Sequence, residues 1–70
     1  MNKNRLKAKM IENGDTQNDL AKALNLSVSN LSLRINGKMD FRQSEIDTIK
    51  KRYKLSSSEL DSIFFEDVVS

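Results

Sequence analysis

Apolar residues fall into short groups at helical spacing from one end of the chain to the other. Leu6, Met10 and Ile11 recur at i, i+4 and i+5 and predict a first helix over about residues 3–13, ended by Gly14. Thr16, with Asp19 three residues on, forms a capping box: the hydroxyl takes an orphan backbone N–H and a carboxylate enters the first turn. Leu20, Ala21 and Leu24 give the buried stripe of a short second helix, about residues 16–23. Asn25 tolerates the left-handed conformation almost as well as glycine, so the chain can turn sharply there, with Leu26 plugging the turn. Ser27 caps a third helix, about Ser27–Asn36, with Leu31 and Ile35 facing inward and Asn36-Gly37 stopping it. Lys38 to Arg42 reads as a loop anchored by Phe41. Ile46, Ile49 and Tyr53 define a fourth helix. Ser56-Ser-Ser-Glu59 is a second capping box, and Leu60, Ile63 and Phe64 form the stripe of a fifth helix. No alternating β-branched run signals a strand. The expected fold class is all-α, a five-helix bundle.

Composition narrows the chemistry. Seventy residues make one domain, 1–70, because two would need more than about 100. The chain has no cysteine, histidine, proline or tryptophan, which excludes a zinc finger, a haem ligand, a disulfide staple and a histidine general base. We therefore expect no metal, no cofactor, no small-molecule ligand and no catalytic residue. No apolar run approaches the roughly 18 residues of a membrane span, and Asn2-Lys3-Asn4-Arg5 leads into no signal-peptide core. A soluble, cytoplasmic protein that is not an enzyme is expected.

The net charge of +2 conceals an asymmetry. All 12 Lys and Arg lie within residues 1–54, against six acids, a balance of +6; residues 55–70 hold four acids and no base, a balance of −4. A basic body with an acidic end suits a polyanion on one side and a partner or solvent on the other, and equally suits ordinary solvated helix faces.

The stretch from Thr16 to Lys38, TQNDLAKALNLSVSNLSLRINGK, joins two capped helices through a turn of about four residues, with small Ala21 where the helices must approach. It resembles the Cro/phage-repressor class of helix-turn-helix DNA-binding proteins, whose pattern is T-Q-x-x-L-A-x-x-L-G-x-S-x-x-x-[LI]-S followed by N-G-K or R-G-K. Gln17, Leu20, Ala21, Leu24, Ser27, Leu31, Ser32, Gly37 and Lys38 fall in register. The run LRINGKMDFRQSEI…IFF is similar to that of small phage-encoded repressor-like proteins, so the likeness extends over about residues 5–65. There are two departures. Asn25 replaces the turn glycine. Met10 and Ile35 stand where many members carry an Arg–Glu pair joining the first and third helices, and an apolar contact is expected there instead.

The resemblance implies a helix-turn-helix over about residues 16–36, with the helix from Ser27 to Asn36 lying in the major groove of double-stranded DNA. With Leu31 and Ile35 turned inward, the base-reading candidates are Val28, Ser29, Ser32 and Leu33, with Asn30 and Asn36 at the margins. Val28 and Leu33 offer apolar contact to a thymine methyl, and the serines exchange weakly discriminating hydrogen bonds with base edges. Asn30 reads adenine if it faces the groove and binds a phosphate if it does not; Leu33 has a core role as its other reading. Arg34 sits at the edge of the buried face, reaching a phosphate or an acid on a neighbouring helix.

Phosphate contacts are expected from Thr16 and Gln17 at the N-terminus of the second helix, with Gln17 the strongest by resemblance, and from Asn36, Lys38 and Arg42 after the reading helix. Lys9 and Lys22 are weaker candidates. One domain covers half a site, so a homodimer on a pseudo-palindromic operator is expected, with half-sites about 10 bp apart. Phe65, Val68 and Val69 are the candidate dimer residues, against the alternative that residues 66–70 are a frayed tail. The chain's extent suits a Cro-like regulator or a repressor head. The competing function is a protein-interaction module, such as an antitoxin-like partner.

Overall fold

The computed structural model describes residues 1–65. Within them the order is α1 (Lys3–Glu12), α2 (Gln17–Leu24), α3 (Val28–Ile35), α4 (Gln43–Arg52) and α5 (Ser57–Leu60), the last running on into a π-helical turn, Asp61–Phe65. No strand occurs among the described residues. The chain is an all-α bundle.

Each helix start has a local cause. The side chains of Asn2, Thr16, Ser27 and Ser56 accept the backbone N–H groups of Arg5, Asp19, Asn30 and Glu59. Both expected capping boxes are closed: Asp19 Oδ2 takes the Thr16 N–H at 3.0 Å, and Glu59 Oε1 takes the Ser56 N–H at 3.0 Å. At α4 only the returning half is a side-chain bond, with Glu45 Oε1 accepting the Arg42 N–H at 2.9 Å.

The first four helices stop by one shared device. After α1, α2, α3 and α4 come Gly14, Asn25, Gly37 and Lys54, all at positive φ (65°, 58°, 77° and 53°). In each case the left-handed residue and its successor donate back to the last turn: Gly14 to Ile11 and Asp15 to Met10, Asn25 to Lys22 and Leu26 to Ala21, Gly37 to Arg34 and Lys38 to Leu33, Lys54 to Lys51 and Leu55 to Lys50. This is the Schellman pattern, which satisfies carbonyls that would otherwise be orphaned. Lys54 is the unexpected member, since a long side chain at positive φ carries a Cβ clash that glycine avoids.

The core is one cluster containing Leu6, Met10, Leu20, Ala21, Leu24, Leu31, Ile35, Ile49, Tyr53, Leu55 and Ile63, with Leu26, Phe41, Leu60 and Phe64 packed against it half-buried. Met10 and Ile35 are both buried in this cluster. Phe41 meets Phe64 edge-on at 5.5 Å, which anchors the α3–α4 loop.

Three expectations need correction. Ile11 is 79% exposed: each helical step turns about 100°, so a residue one place after buried Met10 points well away from the stripe. Three residues (Asn25, Leu26, Ser27), not about four, separate α2 from α3. The fifth helix is only one α turn before the backbone widens into the π turn. Leu55 is a core residue that the spacing did not reveal; its burial follows from the left-handed turn at Lys54.

Candidate nucleic-acid interface

The unit α2–turn–α3 is positioned by apolar packing on one side and left open on the other. Leu20, Ala21 and Leu24 of α2 and Leu31 and Ile35 of α3 are buried, and the side chain of Ala21 is small enough for close approach. On the outer face of α3, Val28, Ser29, Asn30 and Leu33 are exposed and Ser32 is half-buried. Val28 and Leu33 are 40% and 39% exposed, so Leu33 belongs to the outer face and not to the core. Five candidate reading residues thus share one accessible surface or its edge.

Arg34 has a partner. It is 5% exposed, and its Nε donates to Glu45 Oε1 at 2.9 Å while Nη1 donates to the Asn30 carbonyl at 3.2 Å. Of the two destinations left open by its position, the acid on the neighbouring helix is the one occupied.

The phosphate candidates occupy two places. At the start of α2, the Thr16 hydroxyl is consumed by the cap, donating to Asp19 at 2.8 Å and accepting the Asp19 N–H at 3.1 Å. Gln17 is half-buried beside it, and the first-turn N–H groups of α2 have no intrahelical acceptor. Two acids lie close by. Hydrogen bonds from the Thr16 backbone and hydroxyl hold the Asp19 carboxyl below its usual range. The Arg52 guanidinium, gripping Asp15 through two 2.7 Å bonds, does the same to Asp15, aided by the Tyr53 hydroxyl. Desolvation, then its bond to Asp15, pushes the Tyr53 phenol up.

At the end of α3, Lys38 and Arg42 are exposed. Asn36 is exposed as well, but its amide is folded back onto Ser32, donating to the carbonyl at 2.9 Å and to the hydroxyl at 3.3 Å. A phosphate contact from that amide competes with this bond. Lys3 comes to the same region: an open depression of about 400 Å³ is lined by Met1, Lys3 and Asn4 together with Ile35, Asn36 and Gly37.

Of the weaker lysine candidates, Lys22 is exposed, whereas Lys9 is held by Glu12 at 3.3 Å and by Glu59. Phe65 is 57% exposed and edges a shallow groove of about 230 Å³ shared with Met1, Met39, Phe41 and Phe64. Val68 and Val69, and the frayed-tail alternative for residues 66–70, lie outside the described residues.

The sequence reading missed the acid that Arg34 meets and the Asp15–Arg52–Tyr53 cluster. Glu45 was findable, because it stands three residues after the α4 cap, where a capping carboxylate belongs. The Asp15 cluster joins residues 37 and 38 apart and has no local signature.

These features define an all-α bundle whose second and third helices form a capped helix–turn–helix unit with an open outer face. The chain matches the model of the family described as "Protein of unknown function (DUF739)" over residues 2–67 and belongs to that family. No curated protein and no solved structure matches the chain. Among the described residues no helix is long and apolar enough to cross a membrane.

Proposed function

We propose that this chain is a sequence-specific double-stranded DNA-binding transcription regulator of the phage Cro or repressor kind, acting in the cytoplasm of a bacterial cell. The observation that carries the reading is the outer face of α3. Val28 and Leu33 stand exposed beside Ser29 and Asn30 on the second helix of a capped helix–turn–helix unit. Apolar side chains flanked by hydrogen-bonding ones match a major-groove edge, where thymine methyls alternate with donors and acceptors. Gln17 and the free N–H groups of α2 contact one phosphate run, and Lys38 and Arg42 another. Arg52 favours this arrangement by neutralising Asp15, the carboxylate next to the α2 terminus. A homodimer, using Phe65, Val68 and Val69, would place two reading helices about one helical turn apart.

Random-site selection on duplex DNA tests the reading. A recovered palindromic site, weakened uniformly by Gln17→Ala and relaxed at one base position by Ser29→Ala, is the expected result. Log affinity should fall with log salt at about 0.9 per phosphate neutralised. The groove beside Phe65 favours a second reading, a protein-interaction module; salt-insensitive binding that needs a protein partner and ignores DNA would select it.

A further inference from the structure

We infer that Arg34 and Glu45 form a positioning pair that sets the rotation of α3 against the α4 cap, and thereby the sequence specificity of the outer face; this rests on the DNA reading above. The two side chains are 5% and 7% exposed. One carboxylate oxygen, Glu45 Oε1, accepts from Arg34 Nε and from the Arg42 backbone N–H, both at 2.9 Å. The same guanidinium reaches the Asn30 carbonyl through Nη1. A single buried junction therefore touches a candidate base-reading residue and a candidate phosphate-binding residue that lie 12 positions apart in the chain.

The chemistry suits positioning better than stabilisation. Burying two charges loses hydration that their attraction only roughly repays, and apolar substitutes for such pairs are often neutral or stabilising. What apolar packing lacks is direction. A guanidinium fork with one arm on a carboxylate and another on the helix's own carbonyl admits few rotations of α3 about its axis. A turn of roughly 20° would move side-chain tips, some 5–6 Å from that axis, by about 2 Å. Hydrogen bonds to base edges tolerate only a few tenths of an ångström. Non-directional attraction to phosphates would survive such a slip.

The test is the double variant R34M/E45L, with R34K as its companion, each compared with the native chain. Three quantities are measured: thermal midpoint, affinity for the selected duplex over random duplex, and α3–α4 orientation from residual dipolar couplings without DNA. We expect R34M/E45L to stay folded and to melt only a few degrees below the native chain, through loss of the Glu45 bond to the Arg42 N–H. The specific-to-random ratio should fall about tenfold or more, the scale of one lost base contact. Random-duplex affinity and its salt slope should stay within about twofold. R34K keeps the charge but loses the fork, so its ratio should fall too.

A folded double variant with native ratio or native orientation overturns the inference, and so does one that unfolds, which would make the pair a stability element. An R34K protein with the native ratio also overturns it. If the native chain selects no duplex, the DNA reading fails by itself, and the couplings alone decide the positioning.

Discussion

The outer face of α3 lies exposed and the seam between α1 and the C-terminal turn is largely half-buried, and the two are built in opposite ways. Along the seam, polar groups find each other: the Asn2 N–H donates to the Ile63 carbonyl at 2.6 Å, Arg5 Nη1 to Ser62 Oγ at 2.8 Å, and Lys9 pairs with Glu59. On α3 the candidate reading side chains Val28, Ser29 and Leu33 lie open, and two of them are apolar. A surface whose polar groups are mutually satisfied closes the fold. A surface that leaves Val28 and Leu33 to water, a few residues from exposed Lys38 and Arg42, is the one through which we propose that a polyanionic partner is met.

The largest effect that sharpens this contrast comes from the core beneath both regions. Met10→Arg should cost about 3–5 kcal/mol in denaturant unfolding, because an unpaired charge would enter the apolar cluster that Met10 shares with Ile35. Full stability in that variant would contradict the apolar packing of Met10. Thr16→Ala opens the α2 capping box and should cost about 1 kcal/mol. Lys54→Gly should act in the other direction, stabilising by about 0.5–1 kcal/mol through relief of the positive φ. Leu33→Ala, on the open face, should change stability by less than about 0.5 kcal/mol while weakening duplex binding.

The smallest effects belong to two ion pairs, Lys9–Glu59 on the seam and Arg52–Asp15 between α4 and the turn after α1, and are set by pH and salt. The Lys9 ammonium lowers the Glu59 carboxyl to about 2, and Arg52 lowers Asp15. Carboxyls lowered in the folded state contribute stability that is complete above their unfolded values, 4.5 and 3.8, and is lost as pH falls through the folded ones. Unfolding free energy should therefore be flat from neutrality to about pH 5 and decline below about pH 4. Asp15→Asn should flatten part of that decline, and added salt should shrink the part due to half-buried Glu59.

Much of the fold was legible because its decisions are local. Caps at Thr16, Ser27 and Ser56, left-handed stops at Gly14, Asn25 and Gly37, and stripes spaced at three and four residues each act within one turn of chain. The same locality explains the errors. Ile11 sits next to Met10 in sequence, yet adjacent helical positions diverge by about 100°, so it faces solvent while Met10 is buried. Lys54 hid the fourth stop because lysine is not a turn residue. The candidate site was legible as a face, Val28 to Leu33, but not as a junction. The Arg34–Glu45 bond depends on how α4 returns past α3, and Asp15 finds Arg52 only once the bundle has closed.

We propose that the outer face of α3 meets duplex DNA. Backbone amide shifts of the labelled protein, titrated with the duplex recovered by selection, decide the matter. The largest perturbations are expected at Gln17, at residues 28–33 and at 36–42, with the α1 and Ser62 seam left unmoved. Perturbations centred on that seam or on the Phe65 groove, or none under low salt, would overturn the DNA reading.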